Sequence, residues 1–328
     1  MKNTVLIISN SQDVHSDVVE DLLASKGTKV VRFNTDKFTT DDIHLSFFRE
    51  ASHEKDYISV KNVVIPLSSV RSIWCRRPTP LETIITDPHQ RSFAVLETQE
   101  LLKQLYFSLT ESLWVSSYAS LEYARRKYPQ LKIAQSLGFT IPPTLITNSP
   151  HQVQQFFQRF NGKIIYKTLA FPLIKLSEQE EPWGIPTSLI SEDQLKSIDL
   201  IRHTGGIFQP YIEKQYEVRV TVIGDDVFAA KIDSQANLDS KVDWRDGVAY
   251  GEVDVTSYEL PSDLIKKCKD LVKAYKLQFG AIDLIRTPEG EYIFLEINCN
   301  GQWLWIEELT GQPLIKSMAN LLAFGLPE

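Results

Sequence analysis

The chain opens on a strand-like run with an apolar centre, "TVLIIS" (Thr4 to Ser9), followed by an amphipathic stretch to Ser25, a glycine stop at Gly27 and a second run, "KVVRFN" (Lys29 to Asn34). A short apolar run followed by helical periodicity and a further run reads strand, helix, strand, which is an α/β beginning. Two more strand-like runs, "YISVKNVVIPL" (Tyr57 to Leu67) and "VRSIWCRR" (Val70 to Arg77), precede a helical pattern from Arg91 to about Trp114. A further helix is expected from roughly Leu121 to Leu137, ending at Gly138 before "IPPT", which cannot continue it. The change of pattern puts a boundary near Ser120.

The middle segment predicts a short helix (His151 to Phe160), a strand "KIIYKTL" (Lys163 to Leu169), an irregular stretch and a helix start at "SEDQL" (Ser191 to Leu195). After "HTGG" (His203 to Gly206) come the strand-like runs "IFQPYI", "YEVRVTVIG" and "VFAAKIDS", then the helical "SDLIKKCKDLVKAYKL". The hairpin "GAIDLIRTPEGEYIFLEINCNGQW" (Gly280 to Trp303) and a final helix over about Pro313 to Phe324 complete the pattern. No internal repeat or low-complexity segment interrupts it.

The hairpin carries the chemistry. By simple alternation Glu296 and Asn298 share a face with Phe294, and the "TPEGE" turn folds Asp283 back to within about one register step of Glu296. Two converging carboxylates repel unless something positive lies between them. Either a hard cation such as Mg²⁺ fills that role with Asp283, Glu296 and Asn298 as ligands, or lysine and arginine do so in ion pairs. Mg²⁺ is usually shared with substrate phosphates, so a nucleotide should leave a basic trail. Lys127, Lys167, Arg219, Lys231 and Arg245 supply one, two of them (Lys167 and Lys231) interrupting strands where a charge needs a partner.

With 328 residues, 43% of them apolar and 23% charged, the chain has the makings of a folded protein with two or three substructures. A net charge of -7 argues against broad binding to nucleic acid or a membrane surface. No run is long enough for a transmembrane helix, and the N-terminus has too short an apolar core for a signal peptide, so the expected place is the cytoplasm. Cys75, Cys268 and Cys299 stand far apart and suggest neither disulfides nor a zinc site.

The order lysine, strand lysine, "FQPYIEKQYEVRVTVIGDDVFAAKI", "DWR" and "GAIDLI...YIFLEINCNG" resembles the ATP-grasp fold, over about Lys127 to Glu328. The preceding ~120 residues look like the α/β domain that comes before it. The implied class is α/β (α+β), with a pre-ATP-grasp α/β domain over 1–120, a central ATP-grasp subdomain expected to bind the peptide leader over 121–205 and a C-terminal subdomain with the Mg-ATP site over 206–328. "WCRRP" (Trp74 to Pro78), "VDWR" (Val242 to Arg245) and "NGQWLWIEEL" (Asn300 to Leu309) narrow the resemblance to the graspetide, or microviridin-type, peptide macrocyclases within the RimK-like superfamily.

The resemblance implies roles. The backbone of Gln209, Pro210, Tyr211 and Ile212 would read adenine, and Glu217 would accept the ribose hydroxyls. Lys127 and Lys167 would contact the phosphates of ATP. Arg219, Lys231 and Arg245 would stabilise the transferring phosphoryl group, and Asp283, Glu296 and Asn298 would hold Mg²⁺. Many relatives cover the phosphates with a glycine-rich loop, whereas "TLAFPLIKLSEQEEPWG" after Lys167 has Gly184 as its sole glycine, so no residue there is assigned.

The implied reaction phosphorylates Asp or Glu side chains of a ribosomal precursor peptide and closes rings with Thr or Ser hydroxyls as ω-esters, or with Lys as ω-amides. Trp74, Arg76 and Arg77 would meet the acidic core peptide, although adjacent arginines on a strand face opposite ways, so that one of the two is expected to reach the site. Glu192 and Asp193 would grip a basic leader residue, or serve as first-turn acids of a helix capped by Ser191. The aromatics of "QWLWIEEL" could serve an interface such as a homodimer, the substrate channel or the core. Two other readings are a RimK-like ligase adding an amino acid to a peptide or protein C-terminus, and a regulatory protein that binds ATP without turnover.

Overall fold

A computed structural model describes residues 2–50, 53–79, 83–170, 173–174, 183–236, 240–245, 251 and 253–326. The first unit contains β1 (Thr4–Ser9), α1 (Val14–Ser25), β2 (Lys29–Asn34), β3 (Ile43–Ser46), the short pair β4 (Arg49–Glu50) and β5 (His53–Glu54), β6 (Tyr57–Val60), β7 (Val63–Pro66), β8 (Val70–Cys75), α2 (Pro88–Ser108) and β9 (Leu113–Val115). Its main sheet has the order β2-β1-β8-β9 and is parallel throughout, which explains why β1 is buried at every position and apolar from Val5 to Ile8: both its faces are covered. The run expected as one strand from Tyr57 is a hairpin instead. Lys61 and Asn62 both have positive φ, the requirement of the tight turn that joins β6 to β7. Helix α2 starts earlier than its apolar pattern, because the Asp87 carboxylate accepts from the amides of His89 and Gln90, and it stops before Trp114, which lies on β9.

The expected helix from Leu121 to Leu137 is two, α3 (Tyr118–Ala124) and α4 (Lys127–Ser136), separated by extended backbone at Arg126. A central sheet of order β10-β15-β11-β14 follows, made of β10 (Leu145–Thr147), β11 (Ile164–Lys167), β14 (Ser188–Leu189) and β15 (Gly206–Pro210), with α5 (Pro150–Arg159) and α6 (Glu192–Lys196). Gly206 is needed here, since a Cβ would lie 2.3 Å from the Tyr166 ring. Most of the glycine-poor stretch after Lys167 lies outside the described residues, apart from the paired β12 (Leu173–Ile174) and β13 (Trp183–Gly184).

The C-terminal sheet is antiparallel, of order β18-β17-β16-β19-β20: β16 (Tyr216–Ile223), β17 (Asp226–Ile232), β18 (Val255–Ser257), β19 (Phe279–Arg286) and β20 (Tyr292–Asn298). Helices α3, α4 and α7 (Ser262–Ala274) cover one face through Leu121, Leu131, Leu264 and Leu271. The other face meets the first unit, with α8 (Leu304–Thr310), which the sequence pattern did not announce, and α9 (Leu314–Phe324). Val5, Ile7, Val19, Leu23 and Trp74 share one core there with Trp303, Met318 and Leu322. Among the described residues no helix is long and apolar enough to cross a membrane.

Candidate active site

Strand pairing sets Arg219 of β16 opposite Asp283 of β19, and Asp283 opposite Glu296 of β20. Simple alternation would place Phe294 and Glu296 on one face, and the structure corrects this. Leu284 pairs with Phe294 while Asp283 pairs with Glu296, so Leu295 is an extra, bulged residue. The bulge sends Phe294 into the core under the sheet and turns Glu296 to the site face with Asp283.

The carboxylates meet both an amide and cations. Asn298 Nδ2 donates to Asp283 Oδ2 at 3.2 Å and to Glu296 Oε1 at 2.9 Å, so the three side chains do converge. Lys127, the first residue of α4, donates to Glu296 Oε2. A cation in a helix's first turn opposes the helix dipole, an arrangement that the ion pair offsets. Arg245 Nη2 lies between the carboxylates, 3.1 Å from Glu296 Oε1 and 3.6 Å from Asp283 Oδ2. Arg219 Nε stands 2.9 Å from Asp283 Oδ1. The ion pairs that the sequence left open as an alternative are therefore present.

These surroundings push the two acids apart. Burial alone would raise Glu296, but Lys127 and Arg245 outweigh it and hold its carboxyl well below the ordinary range. Burial prevails at Asp283, which is raised despite Arg219 and Arg245, with the Glu296 charge adding to the effect. Lys167, at the end of β11 in the neighbouring sheet, is lowered by burial and opposed chiefly by the charge of Glu296. It belongs electrostatically to the same cluster.

Lys231 does not. It pairs with Val218, not Arg219, so the pleat turns it to the opposite face, where its ammonium lies 4.8 Å from the centre of the Tyr216 ring. The expectation that it assists Arg219 and Arg245 is corrected on that ground. Glu217 is on the site face but receives Lys214 Nζ at 2.5 Å, a partner not anticipated. Of the four residues expected to read adenine, Gln209 donates from its side chain to Thr144 Oγ1, Pro210 has no N–H, and the Tyr211 amide donates to the Lys163 carbonyl, followed by Ile212.

The two arginines of "WCRRP" separate as alternation demands. Arg77 is exposed, whereas Arg76 is 1% exposed and its Nη1 donates to the carbonyls of Asn300 at 2.5 Å and Gly301 at 3.1 Å. Trp74 is buried in the core behind the site, its ring 6.5 Å from that of Trp303. Neither Arg76 nor Trp74 presents a surface to a peptide in this arrangement, because both are enclosed by the turn after β20. Glu192 and Asp193 lie in the first turn of α6 behind a Ser191–Gln194 capping box, and Asp193 pairs with Lys196.

Sequence reasoning missed several supports. Asp243 grips Arg245 Nη1 through both oxygens, at 2.9 and 3.1 Å. The Trp244 ring lies 5.2 Å from the Arg219 guanidinium and 5.3 Å from that of Arg245. Gln130 fixes the β20 backbone, accepting from the Ile297 amide and donating to the Ile297 carbonyl. In the sequence "DWR" stands as a unit, but nothing in it says that the acid holds the arginine.

The residues fit a metal-bound nucleotide. The donor set is two carboxylates and an amide, all able to offer oxygen, and Arg245 already stands where positive charge is required. Arg219 Nε and Nη1 are buried without a well-aligned acceptor, as suits a guanidinium meant for an anion. Among the described cations, Lys127, Lys167, Lys214, Arg219 and Arg245 outnumber Glu217, Asp243, Asp283 and Glu296, leaving the cluster receptive to phosphate.

The fold and this cluster define an ATP-grasp enzyme. The chain matches the MvdD pre-ATP-grasp domain over residues 4–122 and the RimK-like ATP-grasp domain over residues 124–322; it belongs to the RimK-like ATP-grasp family and is a ligase. Among solved structures it is similar to a RiPP-associated ATP-grasp ligase of Chryseobacterium gregarium in complex with ADP and a leader and core peptide (30% identity, 99% of this chain and 98% of that one, TM-score 0.88). It is also similar to two macrocyclases of Microcystis aeruginosa MRC. These are MdnC, bound with precursor peptide MdnA (29% identity, 97% and 99% covered, TM-score 0.86), and MdnB (30% identity, 98% and 100% covered, TM-score 0.82). No curated protein matches the chain.

Proposed function

We propose that this ligase is a peptide macrocyclase that uses Mg²⁺ and ATP to join Asp or Glu side chains of a ribosomal precursor peptide to Thr or Ser hydroxyls, or to Lys amines, of the same peptide. The observation that carries this reading is likeness over the full length of both chains to a ligase holding ADP together with a leader and core peptide. In this reading a substrate carboxylate oxygen attacks the γ-phosphorus of ATP, giving an acyl phosphate and ADP. The hydroxyl or amine then attacks the acyl carbon and releases phosphate. Each ring costs the peptide one water.

Mg²⁺, when bound, neutralises charge on the phosphates. Asp283, Glu296 and Asn298 would hold it, Lys127 and Lys167 would meet the phosphates, and Arg219 and Arg245, steadied by Trp244 and Asp243, would stabilise charge at the transferring group. The Ile212 amide would donate to adenine, and Glu217 would turn from Lys214 to the ribose. Arg77, exposed at the end of β8, would meet the acidic core peptide. Glu192 and Asp193 remain candidates for a basic leader residue, since their acids are exposed. Residues 1–120, 121–205 and 206–328 would divide the labour into a first domain that meets the core peptide, a central subdomain that binds the leader and the Mg-ATP subdomain.

The test is mass spectrometry of a precursor peptide from a neighbouring gene, incubated with the protein, ATP and Mg²⁺. Stepwise loss of one water per ring, dependent on both, is expected, and hydroxide lability would distinguish esters from amides. An unchanged mass, with free glutamate consumed in its place, would transfer the assignment to an amino-acid-adding ligase.

A further inference from the structure

The turn that follows the metal-binding residues is held from outside its own unit. His15, in the first turn of α1, places Nε2 3.1 Å from the Trp303 amide and 3.2 Å from the Leu304 amide and accepts from both. It thereby satisfies donors at the start of α8, where no side chain of the helix's own N-cap does so. Its ring packs edge-on against Trp303, with centroids 5.1 Å apart. On the other side of the same turn, Arg76 binds the carbonyls of Asn300 and Gly301. Asp13 stands behind both: its Oδ1 is 3.6 Å from His15 Nδ1 and its Oδ2 is 3.8 Å from Arg76 Nε, while Ser9 and Ser16 hydroxyls donate to it.

Between these grips lies Gly301, packed so tightly that a Cβ would come within 2.7 Å of the Ala281 Cβ and 3.3 Å of Arg219 Nη1. Asn298 is three residues before it. A displacement of this turn would therefore move the amide that bridges Asp283 and Glu296 and the wall against which the Arg219 guanidinium rests.

We propose that Asp13, His15 and Arg76 are positioning residues: a clasp from the first domain that sets the turn from Asn298 to Leu304, and with it Asn298 and Arg219, for binding of the metal nucleotide. This rests on reading the cluster as a nucleotide site. Because Nε2 accepts two N–H groups, the ring proton lies on Nδ1, facing Asp13. Burial, with Arg76 adding, pushes His15 down to about 3, so the neutral acceptor form persists.

The test compares His15→Gln, whose Oε1 reaches the position of Nε2, with His15→Asn and His15→Ala, which do not. Two quantities are read: amide hydrogen exchange at Trp303 and Leu304, and Mg·ADP binding by calorimetry. The Asn and Ala variants are expected to exchange these amides faster and to bind Mg·ADP about 10–100-fold more weakly, as for other residues that orient metal ligands, and Gln to restore both. Unchanged Mg·ADP binding in the Asn variant, or equal losses in Gln and Asn, would overturn the clasp. If Ala does not fold, the Gln and Asn pair decides alone. Failure of the parent protein to bind Mg·ADP would overturn the nucleotide reading, and the proposal with it. Intact Mg·ADP binding without peptide modification would overturn the macrocyclase reading only, leaving the clasp to be judged by the variants.

Discussion

Glu296 and Asp283 are neighbours with opposite electrostatic fates, and each predicts a different response. A carboxyl depressed in the fold contributes stability above its unfolded value, ~4.3, and loses that contribution as pH falls through the lower folded value. Raised by burial, Asp283 behaves in reverse: its ionised form costs stability, and protonation relieves that cost. Glu296→Gln should thus flatten the loss of stability below about pH 4.3, which thermal melts across pH would reveal. Both Glu296→Gln and Asp283→Asn should abolish ring closure while keeping the fold, since on the proposed reading each removes a carboxylate charge that would hold the metal, at nearly constant volume. Loss of folding in both would mark the pair as structural. Arg77→Ala should weaken peptide modification more than Mg·ADP binding; Arg76→Ala, which removes a buried grip on two carbonyls, should lower thermal stability and nucleotide binding together. Equal effects of the two would contradict their separation onto opposite faces.

Among the elements, the hairpin and the turn after it do most to shape the site. Their chemistry was legible in "LEIN" and "GAID": acids among apolar residues at strand spacing. The bulge at Leu295 was not, because alternation counted along one strand contains no information on an unequal count in its partner. Lys231 was misplaced for a related reason. Its spacing within β17 suits either face, and only the register with β16 decides between them. The same elements predict that Gly301→Ala, by forcing a Cβ against Ala281 and Arg219, will cost roughly 1–3 kcal/mol of stability by overpacking and will weaken Mg·ADP binding. A chemical denaturation curve together with calorimetry would check both. Binding equal to the parent would show that the turn has room to move.

Across the whole molecule, the parallel sheet and the antiparallel sheet bury one continuous core, and α9 is tied to β8 by bonds from Ser72 Oγ to the Leu322 carbonyl and from Arg71 to the Ala323 carbonyl. Trp74 lies in that shared core, so Trp74→Ala should cost about 3–5 kcal/mol and destabilise both units at once. Coincident melting of near-ultraviolet signal and nucleotide binding is the expected result; two separated transitions would show that the units unfold independently. The amino-acid sequence by itself determined the order of the main strands and helices, the α/β opening, the carboxylate pair and the supply of cations, because periodicity and residue chemistry are local properties. Only the tertiary structure decided which arginine of the adjacent pair turns inward, that Asp243 and Trp244 steady the guanidiniums of Arg245 and Arg219, and that a histidine near the start of the chain caps a helix near its end. Those outcomes depend on register, pleat and packing between segments remote in sequence, where a one-residue difference reverses the face on which a side chain emerges.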